Sequence, residues 1–279
     1  MGATDERTLA SARRRLLRVS ANEPLGAYRV LRVSDPDGPI GGRAPIPGQF
    51  AMLAAAERWG GGEDERPYLA RAFSIARAAD GEAHYLLEDV GPGTRRLCEL
   101  QAGEGLLVLG PLGRGFTAPH EDRRALLIGG GVGIAPLAIL QDTLTSADIA
   151  STVLLGFRDR AHAAGAQLLS QATIATDDGS VGHAGLVTEL LASELDRDGR
   201  TVVYACGPAP MLEAVRAMCA THEVPAQLAL EAGMACGFGA CYGCAVPKRG
   251  GGYLRVCVDG PVIDAAELER VDEYAGAPV

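Results

Sequence analysis

The chain has 279 residues, with 26 Lys plus Arg against 35 Asp plus Glu, and a formal net charge of −9 at neutral pH. That balance argues against a nucleic-acid binder, which needs a basic face to neutralise phosphates. Hydrophobic residues at 47% and charged residues at 22% exclude a largely disordered chain, and at roughly 100–200 residues per domain the length predicts about two domains with room for a small extra module.

Met1 to Arg18 carries no apolar run of signal-peptide length. The longest apolar stretch, Ala125 to Leu140, is 16 residues with four glycines and a proline. A membrane span needs about 20 apolar residues, so this stretch reads as buried strand and turn. A cytoplasmic protein without membrane contact is expected.

Residues 1 to about 15 are polar and Arg-rich and read as a frayed helix. Short apolar or alternating runs follow: Leu16–Val19, Tyr28–Val33, Phe50–Leu53, Phe73–Ala76, His84–Leu87 and Leu106–Leu109. Turn signals such as Asp35-Pro36-Asp37-Gly38 and Pro45-Ile46-Pro47-Gly48 separate them. This pattern predicts an antiparallel sandwich or barrel. Arg95–Leu100 is its one helix-like piece, and the Gly-rich loop 54–67 reads as a solvated, mobile segment. Near residue 120 the pattern changes. Strands at Ala125–Ile128, Thr152–Gly156 and Thr201–Ala205 alternate with helices from Pro136, over Leu186–Leu195 and over Pro210–His222. Such alternation predicts a parallel sheet with crossovers. From about residue 228 the chain is rich in Gly and Cys and too short for its own core, which suits a module organised by a metal. The expected fold is multidomain β and α/β: an antiparallel β-barrel over 1–118, a Rossmann-like α/β domain over 119–227 and a cysteine-rich module over 228–279.

Four of the seven cysteines, Cys236, Cys241, Cys244 and Cys257, fall within 22 residues, spaced by four, two and twelve residues. Four-then-two with a distant fourth cysteine is the plant-type [2Fe–2S] spacing. Zinc is the competing occupant, although it usually takes paired close spacings and only one close pair is present. Gly129-Gly130-Gly131-Val132-Gly133-Ile134-Ala135-Pro136 follows a strand and opens a helix, where free N–H groups and the dipole suit a pyrophosphate; a plain tight turn is the alternative. Cys206-Gly207-Pro208 lies at the carboxyl edge of the same sheet, where ligands bind. In the first domain Arg71-Ala72-Phe73-Ser74 offers a phosphate clamp, an aromatic cover and a hydroxyl. Gly91-Pro92-Gly93-Thr94 offers a second phosphate cradle.

In this order the motifs resemble the ferredoxin–NADP reductase superfamily across residues of about 15 to 225. Within it, the chain is similar to the electron-transfer subunits of class 1B dihydroorotate dehydrogenases. That likeness rests on the run from Glu231 to Cys244, on Arg255-Val256-Cys257-Val258-Asp259-Gly260-Pro261, on Gly110 to Phe116 and on Thr176 to Ser180. The resemblance implies that Arg71, Phe73 and Ser74 bind FAD, with Ser74 near the reactive flavin nitrogen, and that Gly91, Gly93 and Thr94 hold its phosphates. It implies that Gly131 and Gly133 face NAD, that Cys206 sits near the nicotinamide and that the four clustered cysteines ligate the [2Fe–2S] cluster. Ala72 departs from the proline often found there, and loop 54–67 is longer than usual. After the second strand, Asp159 would accept from a ribose hydroxyl and favour NAD, whereas Arg158 and Arg160 would suit a 2′-phosphate. The implied partner is an FMN-containing dihydroorotate dehydrogenase catalytic subunit, in a heterotetramer serving pyrimidine biosynthesis, because the chain has no room for a catalytic barrel of about 250 residues. The alternatives are the small flavin subunit of an NADH-dependent ferredoxin:NADP oxidoreductase or a sulfhydrogenase, and a non-enzymatic redox sensor.

Overall fold

The computed structural model describes residues 14–36, 44–60, 67–120, 123–197 and 200–270. Six strands come first: β1 (Arg14–Leu25), β2 (Tyr28–Ser34), β3 (Phe50–Ala55), β4 (Arg71–Ala79), β5 (Glu82–Glu88) and β6 (Gly105–Leu112), with helix α1 (Pro92–Cys98) between the last two. They close an antiparallel barrel in the order β1-β2-β5-β4-β3-β6. All six expected runs fall inside these strands. The expected N-terminal helix lies outside the described residues as far as residue 13, and Arg14 and Arg15 already belong to β1. Residues 61–66 of the 54–67 loop, and 37–38 of the first turn, also lie outside the described residues. Alternating side chains such as Leu31, Val33, Leu53, Tyr85, Leu87, Leu106 and Val108 fill the barrel interior.

The second half runs β7 (Arg124–Gly130), α2 (Ala135–Ser146), β8 (Ser151–Phe157), α3 (Arg160–Ala163), β9 (Ala172–Thr176), β10 (His183–Ala184), α4 (Val187–Leu195), β11 (Thr201–Cys206), α5 (Ala209–Thr221) and β12 (Ala226–Ala229). The hairpin β13 (Ala245–Pro247) and β14 (Tyr253–Arg255) and then β15 (Val262–Asp264) complete it. The sheet order is β10-β9-β8-β7-β11-β12-β15, parallel except for β15. Strands β7 and β11 carry near-continuous apolar runs because both of their faces are covered. The first half of helix α2, Ala135 to Leu140, is apolar on all sides for the same reason, whereas Asp142, Thr143, Thr145 and Ser146 of its second half reach solvent. Leu137, Ala138 and Leu140 join the sheet core, whereas Ile139 joins the barrel core. Arg77 of β4 reinforces that seam, reaching Asp142 at 2.9 Å and the Leu168 carbonyl at 3.0 Å.

The cysteine-rich segment does not stand apart. Strand β12 spans residues 226–229, and β15 returns antiparallel beside it with Leu228 opposite Ile263. Cys244, Val246, Val256 and Cys257 share one apolar core with Leu126, Ile128 and Val203 of the sheet and with Phe50, Met52 and Leu112 of the barrel. The turn after β6 completes the clasp. Gly113 has φ +74°, and a Cβ there would lie 2.5 Å from Pro261 Cδ and 2.6 Å from the Gly260 carbonyl. No side chain fits between these backbones, which explains the glycine. We expect Gly113→Ala to destabilise the chain by about 2 kcal/mol through strain and overpacking. Thermal unfolding would read this as a midpoint several degrees lower, and an unchanged midpoint would show that the seam yields freely.

Candidate functional site

Strand alternation places Arg71 and Phe73 on one face of β4 and Ala72 and Ser74 on the other. Arg71 lies against the first turn of α1: a Cβ on Gly93 would sit 2.6 Å from Arg71 Nε and 2.9 Å from Nη2. Glycine is what lets the guanidinium approach. Thr94 shapes the turn before the helix. Its Oγ1 accepts from the N–H groups of Val90 at 2.9 Å and Gly91 at 3.0 Å and donates to the Gly91 carbonyl. Pro92 gives up an N–H that a first turn leaves unused in any case. A fixed cation beside the first-turn N–H groups is a donor set for a pyrophosphate. Arg71, Gly91, Gly93 and Thr94 are thus gathered at one place. Phe73 packs on the barrel core beside them, and Ser74 points to the opposite face, paired in register with Phe50 of β3.

The glycine turn after β7 lies on the end of β11. Gly131 has φ +56°, and a Cβ on Gly133 would come within 2.7 Å of Gly207 Cα and N. This brings Gly131, Gly133 and Cys206 together at the carboxyl edge of the sheet. Cys206 is buried. Burial first, and the Glu231 carboxylate second, push its thiol well up, so it stays neutral and can supply contact surface but no thiolate. Glu231 keeps solvent contact, yet protein crowds it on most sides, and the lost hydration raises its carboxyl above the ordinary range. The sequence reading passed over Glu231 as a site residue, because its proximity to Cys206 depends on β12 lying beside β11.

Asp159 caps α3. Its Oδ1 accepts from the His162 N–H at 3.0 Å and meets His162 Nδ1 at 2.7 Å, and these bonds hold its carboxyl below the usual range. Arg158 lies 3.6 Å from Glu88 and 3.7 Å from Asp159. The His162 ring meets Tyr28 of β2 edge-on at 5.5 Å, and the buried Tyr28 hydroxyl lies about 4.0 Å from the Cβ position of Gly131. A barrel residue therefore lies beside the glycine turn, a proximity with no local signal in the sequence.

The cysteines stand in pairs. Cys244 and Cys257 share a hydrogen bond at 3.1 Å, and Cys236 is hydrogen-bonded to Cys241. Among the described residues no three Cys, His, Asp or Glu side chains converge on one ion position. Two pairs of soft donors suit two irons carrying two thiolates each better than one tetrahedral zinc. Backbone N–H groups already point at the sulfurs: Ala240 to Cys236 at 3.3 Å, Gly243 to Cys241 at 3.4 Å and Cys257 to Cys244 at 3.5 Å. At Cys236 burial opposes ionisation, but donors from Cys241, Phe238 and Ala240 outweigh it and bring the thiol down to about 7. The hydrogen bond between them brings the Cys244 thiol down to about 6 and pushes that of Cys257 up. Arg255 ties the loop, donating to the Gly239 carbonyl at 3.3 Å and lying 5.2 Å from the Tyr242 ring centre.

The raised Glu231 carboxyl has a consequence for stability. A folded-state value above the unfolded one means that ionisation is disfavoured in the folded chain. The penalty is absent below the ordinary value of 4.5 and grows as pH rises through the folded one. Glu231→Gln and the parent chain should melt together near pH 4.5, and the variant should melt slightly higher at pH 7–8. Solvent contact keeps the gap small. A gap of constant size across this range would remove the assigned cause.

Comparison with known proteins places the chain in a family. Residues 231–269 match the iron–sulfur cluster binding domain of dihydroorotate dehydrogenase B, and residues 127–217 match the oxidoreductase NAD-binding domain. The chain is 36% identical over 241 residues to the dihydroorotate dehydrogenase B (NAD(+)) electron transfer subunit of Desulforamulus reducens, covering 83% of this chain and 90% of that one. With the Geobacillus kaustophilus subunit of the same name it shares 38% over 232 residues, covering 80% and 86%. In fold it is similar to an NADH-dependent reduced ferredoxin-NADP oxidoreductase structure, with a TM-score of 0.77 and 24% identity over 98% of this chain and 93% of that one. It is also similar in fold to the ferredoxin reductase of carbazole 1,9a-dioxygenase, with a TM-score of 0.61 and 21% identity over 76% and 66%. No helix among the described residues is long and apolar enough to cross a membrane. On sequence identity across most of its length, the chain belongs to the family of dihydroorotate dehydrogenase B electron transfer subunits.

Proposed function

We propose that this chain carries electrons from the FMN of a separate catalytic subunit, where dihydroorotate is oxidised to orotate, through a [2Fe–2S] cluster and FAD to NAD⁺. When bound, the flavin exchanges hydride with nicotinamide and single electrons with the cluster, which is why all three groups are needed. The observation that carries the reading is the shared core joining the cysteine loop to barrel strand β3, next to Arg71-Ala72-Phe73-Ser74 on β4.

In this reading residues 1–118 serve FAD, 119–227 serve NAD and 228–279 hold the cluster. Arg71 and the first turn of α1, with Gly91, Gly93 and Thr94, hold the FAD pyrophosphate. Phe73 supports the flavin side of the strand, and Ser74 offers its hydroxyl on the face turned away from the barrel core. Gly131 and Gly133 let the dinucleotide approach the backbone, and Asp159 stands near its ribose. Cys206 and Ser74 flank the place where hydride moves; the neutral Cys206 thiol crowds the nicotinamide without attacking it. Cys236 and Cys241 would hold one iron, Cys244 and Cys257 the other. The partner is a catalytic subunit, in a complex with two copies of each chain.

Two variants test separate parts. Arg71→Ala removes a charge-assisted contact, so FAD should bind about 10- to 100-fold more weakly while iron content stays. Full flavin retention on gel filtration at low protein concentration would reject the assignment. Cys241→Ala should lose the cluster and keep FAD, with NADH-driven reduction of an artificial two-electron acceptor intact. In complexes shown to be intact, dihydroorotate-dependent NAD⁺ reduction should collapse; coupling at the parent rate would reject the route.

A further inference from the structure

The loop that carries Cys236 and Cys241 packs tightly on the barrel at Gly237. Gly237 is buried and has φ +79°, a conformation that disfavours side chains. A Cβ there would lie 2.5 Å from Met52 Cγ, 2.8 Å from Met52 Sδ and 3.3 Å from Leu112 Cδ1. Met52 is itself 2% exposed and lies on β3, in register with Ala72 between Arg71 and Phe73. The residue after the first cysteine is therefore pressed against the strand pair that carries the Arg71–Ser74 motif. Both features of Gly237, the positive φ and the missing side chain, serve this approach. The same core contains Phe50, the register partner of Ser74, together with Cys244 and Cys257.

We infer that Met52 and Gly237 set the spacing between the cysteine loop and the flavin-side strands, which makes Met52 a positioning residue for electron exchange between the two redox sites. The inference rests on the function proposed above. Electron transfer between two centres weakens exponentially with the gap, because orbital overlap decays with distance. A loop resting on backbone at Gly237 and on an unbranched, adaptable thioether at Met52 makes that gap as short as the two chain segments allow. A methyl at Gly237 must displace the loop or the Met52 side chain. Truncation of Met52 removes the platform from the barrel side while leaving the cysteine loop unaltered in sequence.

The test uses the full chain with FAD and iron bound, mixed anaerobically with NADH. FAD bleaching is followed by absorbance and cluster reduction by freeze-quench EPR. Gly237→Ala and Met52→Ala should leave the FAD phase within twofold of the parent. They should slow the cluster phase about tenfold or more, the scale on which small misplacements of reacting groups act. Met52→Leu, of similar volume, should restore the parent rate, which a general loss of fold would not permit. A parent-rate cluster phase in either Ala variant with full FAD and iron content would overturn the inference. Loss of the cluster from both Ala variants would also overturn it, by showing the contact to be a folding element only. If NADH reduces FAD but not the cluster in the parent chain, the proposed route itself fails, and the two failures are thereby distinguished.

Discussion

The antiparallel pairing of β12 with β15 holds the rest of the arrangement in place. A loop as rich in glycine as the one between Ala229 and Val262 cannot bury enough apolar surface to fix four sulfurs by itself. It is fixed because β12 joins the sheet parallel to β11 and the chain comes back as β15 in register with it. The ladder pins both ends of the loop at the sheet edge, one strand spacing apart. From there Pro261 and Gly260 reach the turn at Gly113, and Gly237 reaches Met52. Loss of that ladder would release the cysteine pairs, the barrel contact and Glu231 together.

Charge is arranged economically around this frame. The Arg71 cation donates to the Leu69 carbonyl at 2.6 Å and faces a helix start, a pairing that favours an anionic ligand. Cys206 is kept neutral by burial and by Glu231, so the sheet edge where nicotinamide is proposed to lie carries no reactive thiolate. In the cysteine loop the order reverses: backbone N–H groups favour thiolate, while the Arg255 cation that ties the loop is itself paired with Asp259 at 3.6 Å. Such N–H donors to sulfur are a lever that raises the affinity of a bound cluster for electrons. The two thiol environments lie near one sheet edge and differ because one sulfur sees apolar walls and the others see donors.

The barrel strands were legible because they are short apolar or alternating runs, several of them broken by Gly or Pro turns, as after Tyr28–Ser34. The cysteine spacing was legible because metal ligation is a local pattern. Strands β9, β12 and β15 were not. Ala172–Thr176, Ala226–Ala229 and Val262–Asp264 are short and carry little periodicity, and they become strands through distant neighbours. The C-terminal segment therefore read as a separate module, although β15 lies in the sheet and β12 straddles its expected start. Helix α2 carried no clean amphipathic stripe for a similar reason, since the barrel covers the face that would otherwise meet water. Glu231, Tyr28 and His162 carried no signal as site residues because their neighbours are set by tertiary contacts. Gly93, Gly133 and Gly237 were visible as glycines, but the groups that exclude their side chains were not.

The central claim is that paired cysteines hold a two-iron cluster within electron-transfer reach of the flavin site. The most direct measurement is iron, zinc and acid-labile sulfide content of the anaerobically purified chain, with EPR spectra before and after NADH. Two irons and two labile sulfides per chain, with a cluster signal that appears on NADH addition, are expected. Stoichiometric zinc without labile sulfide, or an iron–sulfur cluster that NADH never reduces while FAD is fully reduced, would contradict the claim.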